Sequence, residues 1–141
     1  MEVSRSSKNY LYDQVIEAKQ FIDAHYCEKI NLETIASKAS LSKYHFHRLF
    51  SMYYGKTPLE YLTILRINKS KELLSKGYPI KEICYLIGYE SISSFIKLFK
   101  KNENLTPSLY AKEIKDQQLK RNLSPLDYIP VDFASYLGWI K

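Results

Sequence analysis

Three side chains in this 141-residue sequence carry groups suited to reading nucleic acid: Tyr44, His47 and Arg48, with Lys43 beside them. An arginine can give paired hydrogen bonds to O6 and N7 of guanine. A histidine can donate to a base acceptor, and a tyrosine can stack, pack on a thymine methyl or bond a phosphate. Each has a plainer alternative: Arg48 as a solvated helix charge, His47 as an uninvolved surface imidazole, Tyr44 as cover for the start of a helix. A second set lies further along the chain, at Ile92, Ser93, Ile96 and Lys97. It is poorer in such groups, because serine bonds a base or a phosphate while isoleucine meets only a methyl. Lys81, Lys100 and Lys101, with the backbone amides at helix starts, are candidate phosphate contacts. For any single lysine, a charge on a solvated face is the alternative.

Other chemistry finds little support. His45 and His47 are two residues apart, and side chains at that spacing on a helix diverge, so they do not share a metal ion. Cys27 and Cys84 stand far apart in sequence, with no CxxC or Cys/His zinc spacing. They fit two small hydrophobic thiols in a reduced cytoplasmic protein. There is no HExxH, GxSxG, phosphate-binding loop or dinucleotide fingerprint. The expectation is a non-enzyme with no cofactor and no metal.

These residues need helices to position them. Leu11 to Tyr26 has Val15, Ala18, Phe21, Ile22 and His25 on one face of a helical pattern. Asn31 is placed as an N-cap for a short helix from Leu32 to Ala39, although Thr34 stands where a capping box would have Glu. Ser40-Leu41-Ser42 breaks the pattern, and Ser42 caps a second helix from Lys43 to Tyr54, which turns Phe46, Leu49 and Phe50 inward. That arrangement leaves Tyr44, His47 and Arg48 mostly outward. Two short helices joined by a tight turn form the helix-turn-helix pattern. Gly55 closes this unit. Thr57-Pro58 opens a long helix to Lys76, about 19 residues and roughly 28 Å. Pro79 starts another short helix with Ile80, Ile83, Cys84 and Ile87 inward, and Gly88 makes the turn. Ser91 or Ser93 caps the helix carrying Phe95, Leu98 and Phe99. Asn104 takes the place of a terminating glycine, and Thr106-Pro107 opens a last helix to about Lys115. Past it, Ser124-Pro125 and Ile129-Pro130 interrupt the chain, while 132–140 is apolar enough to dock. No strand pairs with a hairpin signal, so the class is all-α.

The chain repeats itself. Phe46, Phe50, Thr57, Pro58 and Tyr61 recur 49 residues later as Phe95, Phe99, Thr106, Pro107 and Tyr110. Ile35, Ala36 and Leu41 recur as Ile83, Cys84 and Tyr89 at an offset of 48, so the second turn holds one extra residue. A bundle duplicated for stability alone would explain the apolar positions. It would not explain the charge: from Lys43 to Lys101 there are 11 lysines and arginines against 4 glutamates, a local +7. The whole chain carries +6 with a pI near 9.2, which favours a polyanionic partner, nucleic acid or an anionic membrane surface. The N-terminus lacks a signal-peptide core and no run nears the ~18 apolar residues of a membrane span, so the expected location is the cytoplasm.

Two patterns together resemble the AraC/XylS family of bacterial transcription regulators. The first unit reads Ala36-x5-Ser42-x3-Phe46-x-Arg48-x-Phe50, then Gly55-x-Thr57-Pro58-x2-Tyr61-x4-Arg66. The second reads Ile83-Cys84-x3-Gly88-Tyr89-x5-Phe95-x-Lys97-x-Phe99-Lys100-Lys101, then Thr106-Pro107-x2-Tyr110. The resemblance covers about 11–115. It implies a seven-helix fold, a tandem pair of homeodomain-like helix-turn-helix subdomains joined by a long linker helix, with a C-terminal extension. It also implies two recognition helices in adjacent major grooves of double-stranded DNA. By motif position the base-facing residues are Tyr44, His47 and Arg48, then Ser93, Ser94 and Lys97. Cys84, Asn104 and Lys97 depart from the family's usual alanine, glycine and arginine, and the last weakens base reading by the second unit.

The expected organisation is a disordered 1–9, a first subdomain over 10–56, the linker helix over 57–77, a second subdomain over 78–115 and an extension over 116–141. Family members usually carry a separate effector domain, which is expected to be absent from this chain. A monomer on DNA, in the bacterial nucleoid, is the expected state, with RNA polymerase as a further partner. The rival reading is a helical module that grips another regulator or RNA polymerase instead of DNA.

Overall fold

The computed structural model describes residues 2–123, with side chains from Asn9 onward. Those residues form seven helices and no strand: α1 (Glu2–His25), α2 (Leu32–Lys38), α3 (Lys43–Tyr54), α4 (Pro58–Ser75), α5 (Ile80–Leu86), α6 (Ile92–Glu103) and α7 (Pro107–Leu123). The all-α class and the order of elements are as the sequence predicts.

Local chemistry sets the helix ends. A helix start leaves backbone N–H groups without intrahelical partners, and side-chain oxygens accept from them. Asn31 accepts from the Thr34 amide at 2.8 Å and also from the Thr34 hydroxyl at 2.8 Å, so Thr34 completes the cap without a glutamate. Ser42 accepts from His45 N at 3.2 Å, Thr57 from Glu60 N at 3.1 Å, and Thr106 from Leu109 N at 3.3 Å. Of the two serines open as the α6 cap, it is Ser91 that accepts, from Ser94 N at 3.1 Å. Gly55 ends α3 at φ 71° and Asn104 ends α6 at φ 63°, both left-handed.

Two boundaries move. The stretch 1–9 is expected to be disordered, yet α1 is helical from Glu2. Once 11–25 is fixed, each added residue gains a hydrogen bond without the cost of a new nucleus, and no Pro or Gly stops the extension. At the other end, α7 continues past Lys115 to Leu123, so 116–123 belongs to that helix rather than to a separate extension. The apolar 132–140 stretch lies outside the described residues.

Two hydrophobic cores form, with no residue in common. The first gathers Val15, Ala18 and Ile22 of α1, Ile35 and Ala36 of α2, Phe46, Leu49 and Phe50 of α3, and Leu62 of α4. The second gathers Ile67, Leu73 and Leu74 of α4 with Ile83, Cys84, Ile87, Phe95 and Phe99. Helix α4 therefore enters one core with its first half and the other with its second, over about 27 Å. The repeat holds in three dimensions. Phe46–Phe50 and Phe95–Phe99 have ring centroids 5.6 and 5.8 Å apart, and Phe50–Tyr61 and Phe99–Tyr110 are 5.8 and 5.5 Å apart.

Candidate nucleic-acid interface

Helix α3 divides cleanly into two faces. Phe46 and Phe50 have no exposed surface and Leu49 has 6%. Those three fix the rotation of the helix, because 3.6 residues per turn then put Tyr44, His47 and Arg48 on the far side. All three are exposed, Tyr44 at 81%. Tyr44 and Arg48 are one turn apart on the same stripe, which continues to Met52, 65% exposed. Arg48 has no ion pair or side-chain hydrogen bond among the described residues, so its guanidinium donors remain available. Lys43 is less free: half-buried, it meets Glu33 of α2 at 3.7 Å and lies 5.5 Å from the centroid of the Tyr44 ring.

Helix α6 repeats this rotation with different cargo. Phe95 and Phe99 are fully buried, and Ser93, Ser94, Lys97, Lys100 and Lys101 are exposed. Ile92 is 40% exposed, while Ile96 is half-buried rather than outward. Two of the serines are engaged within the helix start: Ser91 donates to the Ser94 hydroxyl at 2.8 Å and lies 3.3 Å from that of Ser93. Lys97 is on the first two turns, on the same side as Ser93 and Ser94. Lys100 and Lys101 are on the last turn, where positive charge complements the negative end of the helix, and Lys101 lines a groove with Thr57, Glu60 and Thr63 of the α4 end. The predicted residues thus fall in two groups on α3 and α6, with the last-turn lysines set apart from the rest. Lys81 is exposed on α5.

Sequence reasoning gave Arg66 a place in a motif and no role. Its side chain is at the seam between the two units. Nε donates to the Tyr26 carbonyl at 2.6 Å and Nη2 to the Glu28 carbonyl at 2.7 Å, and the guanidinium lies 5.3 Å from the Tyr89 ring centroid. Burial lowers its pKa from the ordinary arginine value, but a guanidinium stays charged in proteins. Burial likewise raises the pKa of Tyr89. The signal that could have found Arg66 is a lone arginine between Leu62, Leu65, Ile67 and Ser70 on a helix whose neighbours are mostly buried.

Residues 35–113 match a family described as a helix-turn-helix domain. YdeC of Bacillus subtilis, an uncharacterized HTH-type transcriptional regulator, is 41% identical over 93 residues, 65% of this chain and 32% of that protein. The solved C-terminal domain of AraT, a response regulator from Geobacillus stearothermophilus, superposes with a TM-score of 0.68 at 30% identity, covering 71% of this chain and 84% of that one. The DNA-binding domain of AdpA, a global transcriptional factor solved in complex with a target DNA, has a TM-score of 0.70 at 24% identity over 73% of this chain and 94% of that one, a likeness of fold. Against the full curated relatives the chain is short: it spans 32% of YdeC, 47% of the Bacillus subtilis protein AdaA and 33% of the Salmonella typhimurium protein PocR.

Proposed function

This chain belongs to the AraC-type helix-turn-helix family of transcription regulators, and from that premise we propose that it reads a specific DNA sequence by inserting α3 and α6 into adjacent major grooves of one duplex. The observation that carries the reading is the outward stripe of α3. Three groups able to bond bases and phosphates stand in solvent on a helix whose opposite face is locked by Phe46, Leu49 and Phe50. The likeness to the AdpA domain, which is known with DNA bound, supports the same use of the fold.

In this reading α3 is the main reader. Arg48 gives paired bonds to a guanine, His47 donates to a neighbouring acceptor, and Tyr44 packs on a thymine methyl or bonds a phosphate. Helix α6 reads fewer bases, through Ser93 and Ser94 at the α6-side half-site, and anchors through Lys97, while Lys43, Lys100 and Lys101 contribute charge to phosphates. Major-groove faces recur every ~34 Å along one side of DNA, and a helix of about 27 Å between the units suits that spacing with some bending of the duplex. One chain then occupies both grooves as a monomer, in the cytoplasm at the nucleoid, acting without a cofactor and by way of RNA polymerase. Among the described residues no helix is long and apolar enough to cross a membrane.

The test is a titration of a mixed-sequence duplex at rising salt, followed by selection of preferred sites from a random pool. Several phosphates neutralised give a steep fall in log affinity against log salt, about 0.9 per phosphate. A flat salt dependence, or no binding at low salt, overturns the reading and favours a module that grips another protein.

A further inference from the structure

Each recognition helix is fixed within its own core, but two separate cores do not by themselves fix the angle between α3 and α6. Helix α4 links them, and the change from one core to the other falls at its middle, between Leu62 of the first core and Ile67 of the second. Arg66 occupies that middle.

We propose that Arg66 is a positioning residue that locks the two units in one relative orientation, and so sets the spacing between the two half-sites the protein accepts. The proposal rests on the DNA reading above. Three elements converge on this side chain. The connection between α1 and α2 supplies the Tyr26 and Glu28 carbonyls, at 2.6 and 2.7 Å. Helix α4 supplies the arginine. The turn between α5 and α6 supplies the Tyr89 ring, 5.3 Å from the guanidinium, and Gly88, whose missing Cβ would sit 2.8 Å from the Cys27 carbonyl oxygen and 3.1 Å from Arg66 Nη2. The backbone of the second unit thus lies against the backbone of the first, with the guanidinium wedged beside the contact.

The chemistry suits a lock. Arg66 is 9% exposed, and its described partners are carbonyls and a ring rather than a carboxylate. The carbonyls follow the C-terminal end of α1, where partial negative charge attracts a cation. A planar fork of donors can satisfy two carbonyls at once while its face meets an aromatic ring, which a lysine ammonium cannot do. A buried cation that loses those acceptors has no substitute nearby, so opening the seam is costly. The exposed ion pair of Lys29 with Glu90, at 3.2 Å, crosses the same seam but adds little, being solvated on both sides.

The experiment uses the duplex that the wild-type chain selects from a random pool. A series is made from it with one or two base pairs added or removed between the halves, and a half-site duplex is made with the α6-side half scrambled. Wild type should bind the native spacing best and fall to the half-site level when the spacing changes by one base pair. Arg66→Met and Arg66→Lys should keep the half-site affinity within about twofold. They should lose roughly tenfold on the native bipartite site and bind the spacing series nearly evenly, because a loose joint lowers the effective concentration of the second contact. Retained spacing selectivity in folded variants overturns the proposal, as does an equal loss on half-site and bipartite duplexes. Should the Arg66 variants fail to fold, Tyr89→Leu, which removes the ring beside the guanidinium, takes their place: a flattened spacing preference supports the lock, and an unchanged one refutes it, as does tolerance of one- and two-base-pair shifts by wild type. Failure of wild type to bind any duplex is a different result and refutes the DNA reading instead.

Discussion

Replacing Arg48 by alanine separates recognition from stability. The side chain is exposed on the second turn of α3 and has no partner among the described residues. Its removal breaks no contact among them. Surface changes of that kind stay within about 0.5 kcal/mol, and arginine and alanine both favour helix, so the melting temperature should hold. Binding should not. A bidentate arginine–guanine contact contributes about 1–3 kcal/mol of discrimination, equivalent to a five- to 150-fold weaker Kd at roughly 1.4 kcal/mol per tenfold. The assay is a fluorescence-anisotropy titration of the selected duplex and of a random duplex, each at several salt concentrations. The expected result is a large loss on the selected duplex, a small loss on the random one and a nearly unchanged salt slope. A salt slope shallower by about 0.9, with equal losses on both duplexes, would make Arg48 a phosphate contact and refute its role as the sequence reader. A fall in melting temperature would refute the claim that it is free in the folded chain.

Three further outcomes follow from the geometry. Lys97→Ala should weaken binding almost uniformly across duplexes and reduce the salt slope by about one phosphate's worth; a loss confined to the selected site would make Lys97 a reader rather than an anchor. The turns of the two units should answer oppositely to substitution, because Ser40 and Gly88 both have positive φ, 55° and 86°. Ser40→Gly should stabilise by a few tenths to about 1 kcal/mol by relieving the left-handed strain, whereas Gly88→Ala, forced 2.8 Å from the Cys27 oxygen, should destabilise; thermal melts of the pair check the sign. Cys27 is half-buried while Cys84 is 3% exposed with its thiol pKa raised by burial, so a thiol-reactive dye at neutral pH should modify Cys27 first.

Most of the fold was legible because its punctuation is local. Asn31, Ser42, Thr57 and Thr106 announce helix starts through side-chain oxygens that reach one turn ahead, and Gly55 and Asn104 announce ends through the left-handed region. Those signals act over three or four residues, so they survive reading without coordinates. Rotation of α3 was legible for the same reason: Phe46, Leu49 and Phe50 name the buried face, and the outward residues follow. What was not legible depends on partners distant in sequence. The wedge of Arg66 joins residues about 40 and about 20 positions away, and nothing in the spacing of its own helix reveals backbone carbonyls as its acceptors. The engagement of Ser93 and Ser94 with Ser91 was hidden too, since either serine could serve as the cap. That α1 extends back to Glu2 and α7 on past Lys115 was not legible either, because a polar stretch without Pro or Gly carries no hydrophobic period.

The separation of the two cores has a consequence for stability that can be measured directly. Phe99 is fully buried in the second core, and Phe→Ala at such a site costs about 3–5 kcal/mol. A domain of this size has roughly 5–15 kcal/mol to lose, and a unit near 60 residues is marginal alone. Phe99→Ala should therefore loosen α5–α7 and the second half of α4 selectively, while the amides of α2 and α3 keep their protection because their core shares no buried residue with the one that holds Phe99. Phe50→Ala should do the reverse. Native-state hydrogen exchange resolves the two cases helix by helix. Equal loss of protection in both units from either substitution would mean that α4 and the Arg66 seam bind the cores into one cooperative unit. The lock would then set how the chain unfolds, as well as how far apart its recognition helices stand.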